Sequence, residues 1–136
     1  MVAFFAATCV VQAKTDKPEG NPAEVTVELR KTEDSAVVTW EGGTAVVTVT
    51  SSSGIGSGNI FLKKGEWPEK ILLRLYYPGK KPFDRLEGFD AKAADPGTHE
   101  SRRIKADTKN PAEVVLTGLP GKDVPEISIN WVDAYR

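Results

Sequence analysis

Residues 24–50, "EVTVELRKTEDSAVVTWEGGTAVVTVT", alternate as extended chain does. Val25, Val27 and Leu29 interleave with Glu24, Thr26 and Glu28, so in a strand the apolar set takes one face and the polar set the other. Ala36–Trp40 and Ala45–Thr50 are short runs rich in β-branched residues, and Glu41-Gly42-Gly43-Thr44 between them has the composition of a tight hairpin turn. No helical period competes with these three strands.

The same signature continues toward the C-terminus. After Asn59–Leu62, "NIFL", the run Ile71–Tyr77, "ILLRLYY", puts Ile71, Leu73, Leu75 and Tyr77 on one side and Leu72, Arg74 and Tyr76 on the other. Apolar residues on both sides predict a central strand. In Asp84–Ala93, "DRLEGFDAKA", Leu86 and Phe89 fall out of phase across Gly88, which predicts a bulge. "SRRIKAD" and "AEVVLTG" are further strands, and the terminal "PEISINWVDAYR" places Ile127, Ile129 and Trp131 on one face. Eight or nine short strands separated by Gly, Pro and Asp turns predict an all-β fold, an antiparallel β-sandwich of jelly-roll or immunoglobulin-like kind. It forms a single domain over residues 24–136.

The chain has 136 residues, enough for one hydrophobic core. Its 18 basic and 19 acidic side chains leave a net charge of −1, so no overall field draws it to nucleic acid. "MVAFFAATCVVQA" joins an apolar run to small residues and reads as an export signal, residues 1–13, cut after Ala13. It lacks the usual Lys or Arg ahead of the apolar run, which a start codon assigned too far downstream explains. "KTDKPEGNPA", residues 14–23, reads as a flexible linker. The expected location is therefore periplasmic or extracellular, with no transmembrane span after cleavage. Cleavage removes Cys9, the one cysteine, and with it disulfide and thiol chemistry. His99, the one histidine, sits in a "DPGTHES" loop and reads as solvated. No cofactor or metal is expected, and the chain is read as a non-enzyme.

Gly54, Gly56 and Gly58 in "SSSGIGSGNI" raise the possibility of a phosphate cradle. Neither the Walker spacing nor a following helix is present, so they read instead as positive-φ positions in a connection or bulge, with Ile55 turned back onto the core. Trp40 and Trp131 read as core. Trp67, before Pro68, is the aromatic placed to show a face to solvent beside Tyr76, against the plainer reading of a ring folded over the sandwich edge. Arg74 inside an apolar strand calls for a carboxylate, Asp133 or Glu66. The candidate ligand-binding residues are thus Trp67, Tyr76, Arg74 and Asp133. Glu87, Asp90 and Asp133 are candidates for a carboxylate hydrolase, the least favoured reading, and Asp84, Glu87 and Asp90 form no calcium loop. Arg102, Arg103, Lys105 and Lys109 form the basic cluster, read as charge protecting an edge strand.

"SGIGSGNI", "GEWPEKILLRLYY", "LEGF" and "NWVDAYR" together resemble a family of short, uncharacterised, exported bacterial proteins. Its pattern is G-I-G, then W-P or F-P, then L-R-L, then L-E-x-F, ending W-I-D-x-Y-R. The resemblance covers Val46–Gly88 and the last dozen residues, with "YYPGKKPFDR" longer than the family's link and Val132 in place of Ile. It implies export and structural roles for Gly54, Ile55, Gly56, Trp131 and Arg136, and it singles out Arg74, Glu87, Asp133 and Arg136 as charged positions that share a network. The expected function is a non-catalytic binding module for a glycan or an envelope protein, the alternative being an assembly protein acting through protein contacts.

Overall fold

The computed structural model describes residues 23–94, 101–121 and 123–133. The expected signal, nearly all of the linker, Cys9, His99, Tyr135 and Arg136 lie outside the described residues.

Among the described residues the chain forms eleven strands and no helix. They are β1 (Glu24–Leu29), β2 (Ser35–Glu41), β3 (Thr44–Thr50), β4 (Ile55–Lys64), β5 (Lys70–Tyr77), β6 (Lys81–Pro82), β7 (Leu86–Ala94), β8 (Ser101–Arg103), β9 (Lys105–Asn110), β10 (Glu113–Thr117) and β11 (Glu126–Asp133). The first sheet runs β1-β4-β11-β7-β8; the second runs β2-β3-β5-β10-β9, with β6 paired to the end of β5. The chain shuttles between the two, and they pack face to face as the expected sandwich. Every pair is antiparallel except β3 and β5, which run parallel because β4, in the opposite sheet, carries the chain between them. The count exceeds eight or nine because β6 and β8 are fragments of two and three residues, and because the "SRRIKAD" segment divides at Ile104. Ile104 is buried, its N–H donating to the Ala91 carbonyl, where the chain leaves the edge of one sheet for the edge of the other.

Alternation decides what each sheet buries. β11 is strictly two-faced, with Ile127, Ile129, Trp131 and Asp133 inward and Glu126, Ser128, Asn130 and Val132 outward. β5 is the middle strand of its sheet, with Ile71, Leu73 and Leu75 in the core. Fully burying such a side chain contributes about 1.5–3 kcal/mol. The predicted bulge is present: Val132 pairs with Gly88 and Asp133 with Leu86, so Glu87 is the extra residue.

The glycine segment departs from expectation. Gly56 and Gly58 are not in a connection but inside β4, and of the three only Gly54 has a positive φ, 81°. A Cβ on Gly56 would lie 2.7 Å from the Trp131 ring, so the bare position is what admits the indole. Ile55 is not a core plug. It is 52% exposed, because the odd positions of β4 face outward.

Candidate functional site

At one end of the sandwich three of the residues singled out in the sequence, Gly54, Trp131 and Asp133, meet in a hydrogen-bonded network. Gly54 carries the chain from β3 into β4; its N–H donates to Ser51 Oγ at 3.3 Å and its carbonyl accepts from the Asp133 N–H at 2.8 Å. Ser51 Oγ also accepts from Trp131 Nε1 at 3.2 Å. Asp133 is 5% exposed, and both its oxygens are occupied, Oδ2 by the Tyr77 hydroxyl and Oδ1 by the Arg85 N–H at 2.8 Å. Beside it, Asp34 Oδ1 accepts from the N–H and hydroxyl of Ser52, and Lys31 Nζ donates to Ser53 Oγ and the Ile55 carbonyl. The Ser52 and Gly54 amides are thereby consumed inside the loop. An anion cradle needs such amides directed at a ligand, and these are not.

The network corrects the pairing expected for Arg74. Asp133 projects into the sandwich in phase with Trp131, whereas Arg74 alternates with Leu73 and Leu75 and stands on the outer face of the second sheet. Arg74 instead lies 3.7 Å from Glu41 and 3.5 Å from Glu113, on the strands flanking the β3–β5 pair. To reach Glu41 from its place opposite Thr48, it passes over Val46, an outward residue that is nonetheless fully buried. Glu66 is not its partner.

The four candidate ligand residues do not converge. Trp67 is not displayed to solvent; it is 8% exposed, and its Nε1 donates to the Val124 carbonyl at 2.8 Å, closing the far end of the sandwich. This is the ring folded over the edge. Tyr76 is roughly 20 Å away along β5, at about 3.4 Å per residue, and shares the outer face of the second sheet with Arg74 rather than with Trp67. The carboxylate set is dispersed as well. Asp90 faces outward in ion pairs with Lys92 and Arg103, both at 3.7 Å, while Asp133 faces inward from the neighbouring strand and Glu87 is exposed in the bulge. Two acids on opposite sides of one sheet cannot flank a bond. Among the described residues no group of acids and histidines is placed to hold a metal ion.

Sequence reading passed over the outer face of the first sheet. Register aligns Glu28, Asn59, Ser128 and Lys92 in one row across β1, β4, β11 and β7. Arg30, Ser57, Asn130 and Asp90 form the next row. In these two rows the middle strands present Asn and Ser side chains, and the flanking strands present charged ones, Glu28 and Arg30 on one side and Lys92 and Asp90 on the other. The result is a shallow trough, and the groove along its β1 side, from Glu28 and Arg30 to Ser128 and Asn130, has a volume of ≈340 Å³. From wall to wall it spans three strand spacings, about 14 Å at 4.8 Å each. Each wall carries both signs in opposite order, so Glu28 faces Lys92 and Arg30 faces Asp90 across the floor. One end is closed by Glu126, which accepts from Asn59 Nδ2 at 2.7 Å. At the other end the paired Ile55 and Val132 are exposed, side by side. The signal was present in the sequence: Ser57 and Asn59, and Ser128 and Asn130, occupy alternate positions out of phase with the core residues of their strands.

Compared with known proteins, the chain matches no family model, no curated protein and no solved structure.

Proposed function

We propose that the protein is a non-catalytic, exported binding module that takes an extended, uncharged polar ligand, a neutral glycan, along the outer face of the first sheet. The observation carrying this reading is the trough, with its amide and hydroxyl floor and its charge-balanced walls. Asn and Ser offer donors and acceptors side by side, which is what a row of sugar hydroxyls requires. Balanced walls give no net attraction to an anionic polymer. The exposed Ile55 and Val132 supply an apolar surface for a sugar's C–H face where no exposed tryptophan does. Export rests on the apolar segment at residues 1–13 and on the resemblance to exported bacterial proteins.

The test is an amide NMR titration of the full chain with neutral and anionic envelope and plant polysaccharide fragments. Shifts confined to outward residues of β4 and β11 with neutral fragments support the reading, and Asn130→Ala then weakens binding without altering the spectrum elsewhere. Shifts clustered around Arg74 and Tyr76, or a preference for anionic fragments, would overturn it.

A further inference from the structure

The chain leaves the first sheet at Ile104. β8 pairs with β7 only along Lys92–Ala94, and beyond it the Ile104 N–H donates to the Ala91 carbonyl at 2.8 Å before β9 joins the second sheet. Residues two apart on a strand direct their backbone groups to the same side, so Phe89 points its N–H and carbonyl as Ala91 does, away from β11 and past the end of β8. No described strand pairs with Phe89 on that side. A short stretch of sheet edge is left open at the corner where the chain changes sheets.

A groove of ≈350 Å³ follows this edge. Its floor is apolar: Phe89, Ala91, Ile104 and Ala106 all belong to the core or pack against it, and Phe89 and Ala106 stay partly exposed. Its rim is charged, with Asp90, Arg103 and Lys105. Arg103 and Lys105 flank the buried Ile104, so both stand on the outward side of the chain. Asp90 is already shared by Lys92 and Arg103, at 3.7 Å each, whereas Lys105 makes no ion pair among the described residues. The rim therefore keeps an excess of positive charge in a chain whose net charge is −1.

We infer that this groove takes up an extended acidic segment of a partner protein by strand addition to β7. Each part selects the occupant: the open N–H and carbonyl of Phe89 call for another peptide backbone, the apolar floor for an aliphatic side chain, and the two cations for a carboxylate. The segment pairs with β7 at Phe89 and sets its acid between Arg103 and Lys105. It is short, because the bulge at Glu87 ends regular pairing two residues from Phe89, and because the groove is at the small end of ligand sites, which run from about 300 to 1,000 Å³. The floor of the trough lies on the other side of β7, so the inference does not rest on the glycan reading.

Amide NMR titration of the full chain with the capped peptide Glu-Val-Glu-Val-Glu tests it, alongside the same peptide with lysine for glutamate and its fully N-methylated form, which donates no backbone hydrogen bond. The expected result is shifts at Phe89, Ala91, Ile104 and Lys105, slowed exchange of the Phe89 amide, and a dissociation constant raised about tenfold by Lys105→Glu or by N-methylation, equivalent to about 1.4 kcal/mol. Lys105 is exposed, and an unchanged spectrum away from the groove shows that the variant is folded. Equal binding of the lysine peptide or of the N-methylated one, or binding that Lys105→Glu leaves intact, would overturn it. Tighter binding of oligogalacturonate at the same residues, or no shift at millimolar peptide, would do the same.

Discussion

The Gly54 end of the sandwich and the outer face of the first sheet are both rich in polar side chains, yet they use them oppositely. At the Gly54 end, Ser51 and Asp133 turn inward and their oxygens are taken up by the Trp131 indole, the Tyr77 hydroxyl and backbone amides. On the outer face, Ser57 and Asn59 come from β4, and Ser128 and Asn130 come from β11, the strand of Asp133, one residue out of phase with it. The difference teaches that the residues most conspicuous in the sequence, Gly54, Gly56, Trp131 and Asp133, hold the fold. The inconspicuous ones beside them face outward, where the proposed function places the ligand.

The sharpest way to break this contrast is Trp131→Ala, expected to lower stability by about 3–5 kcal/mol in urea denaturation, because the ring is fully buried and Ser51 loses a donor. A variant as stable as the parent would remove Trp131 from the structural set. Asp133→Ala strips the acceptor from the Tyr77 hydroxyl and the Arg85 amide, and each buried group left unpaired costs about 1–3 kcal/mol; the same denaturation experiment reads it. Gly56→Ala forces a methyl against the Trp131 ring and is expected to cost about 1–3 kcal/mol, whereas Gly43→Ala, with open space around it, serves as the silent control.

Smaller effects sharpen the other side. Arg74→Ala removes two ion pairs that are partly exposed and together contribute at most about 1 kcal/mol. Arg74→Met keeps the stem without the charge, so comparison of its midpoint with that of the Ala variant separates packing from charge. Smallest of all, Asn130→Ala should leave the unfolding midpoint within about 0.5 kcal/mol of the parent while weakening ligand shifts in the titration. A large loss of stability there would place Asn130 with the structural residues.

Most of the strands were legible because their evidence is local. Val25-Val27-Leu29, Ile71-Leu73-Leu75 and Ile127-Ile129-Trp131 each declare a buried face by alternation alone, and Gly88 declared the bulge. The β4 start was missed because glycine reads as turn chemistry, whereas Gly56 is bare for a ring contributed by a strand some seventy-five residues later. The Arg74–Asp133 pairing failed on phase. Asp133 alternates with the core of β11 and Arg74 against the core of β5, a parity visible in the sequence that places them on different faces. For Trp67 the plainer reading, a ring folded over the edge, holds and the solvent-displayed one does not; its partner, the Val124 carbonyl, belongs to a loop with no pattern of its own.

By itself, then, the sequence determined an all-β chain, the inward face of most of its strands and the core tryptophans Trp40 and Trp131, because side-chain alternation is a property of each segment alone. Only the tertiary structure decided which strands are neighbours: that β11 lies between β4 and β7, that Arg74 meets Glu41 and Glu113, and that four short polar side chains form the floor of a trough. Neighbours in a sandwich come from segments far apart in the chain, and no local period encodes the order in which the sheets collect them.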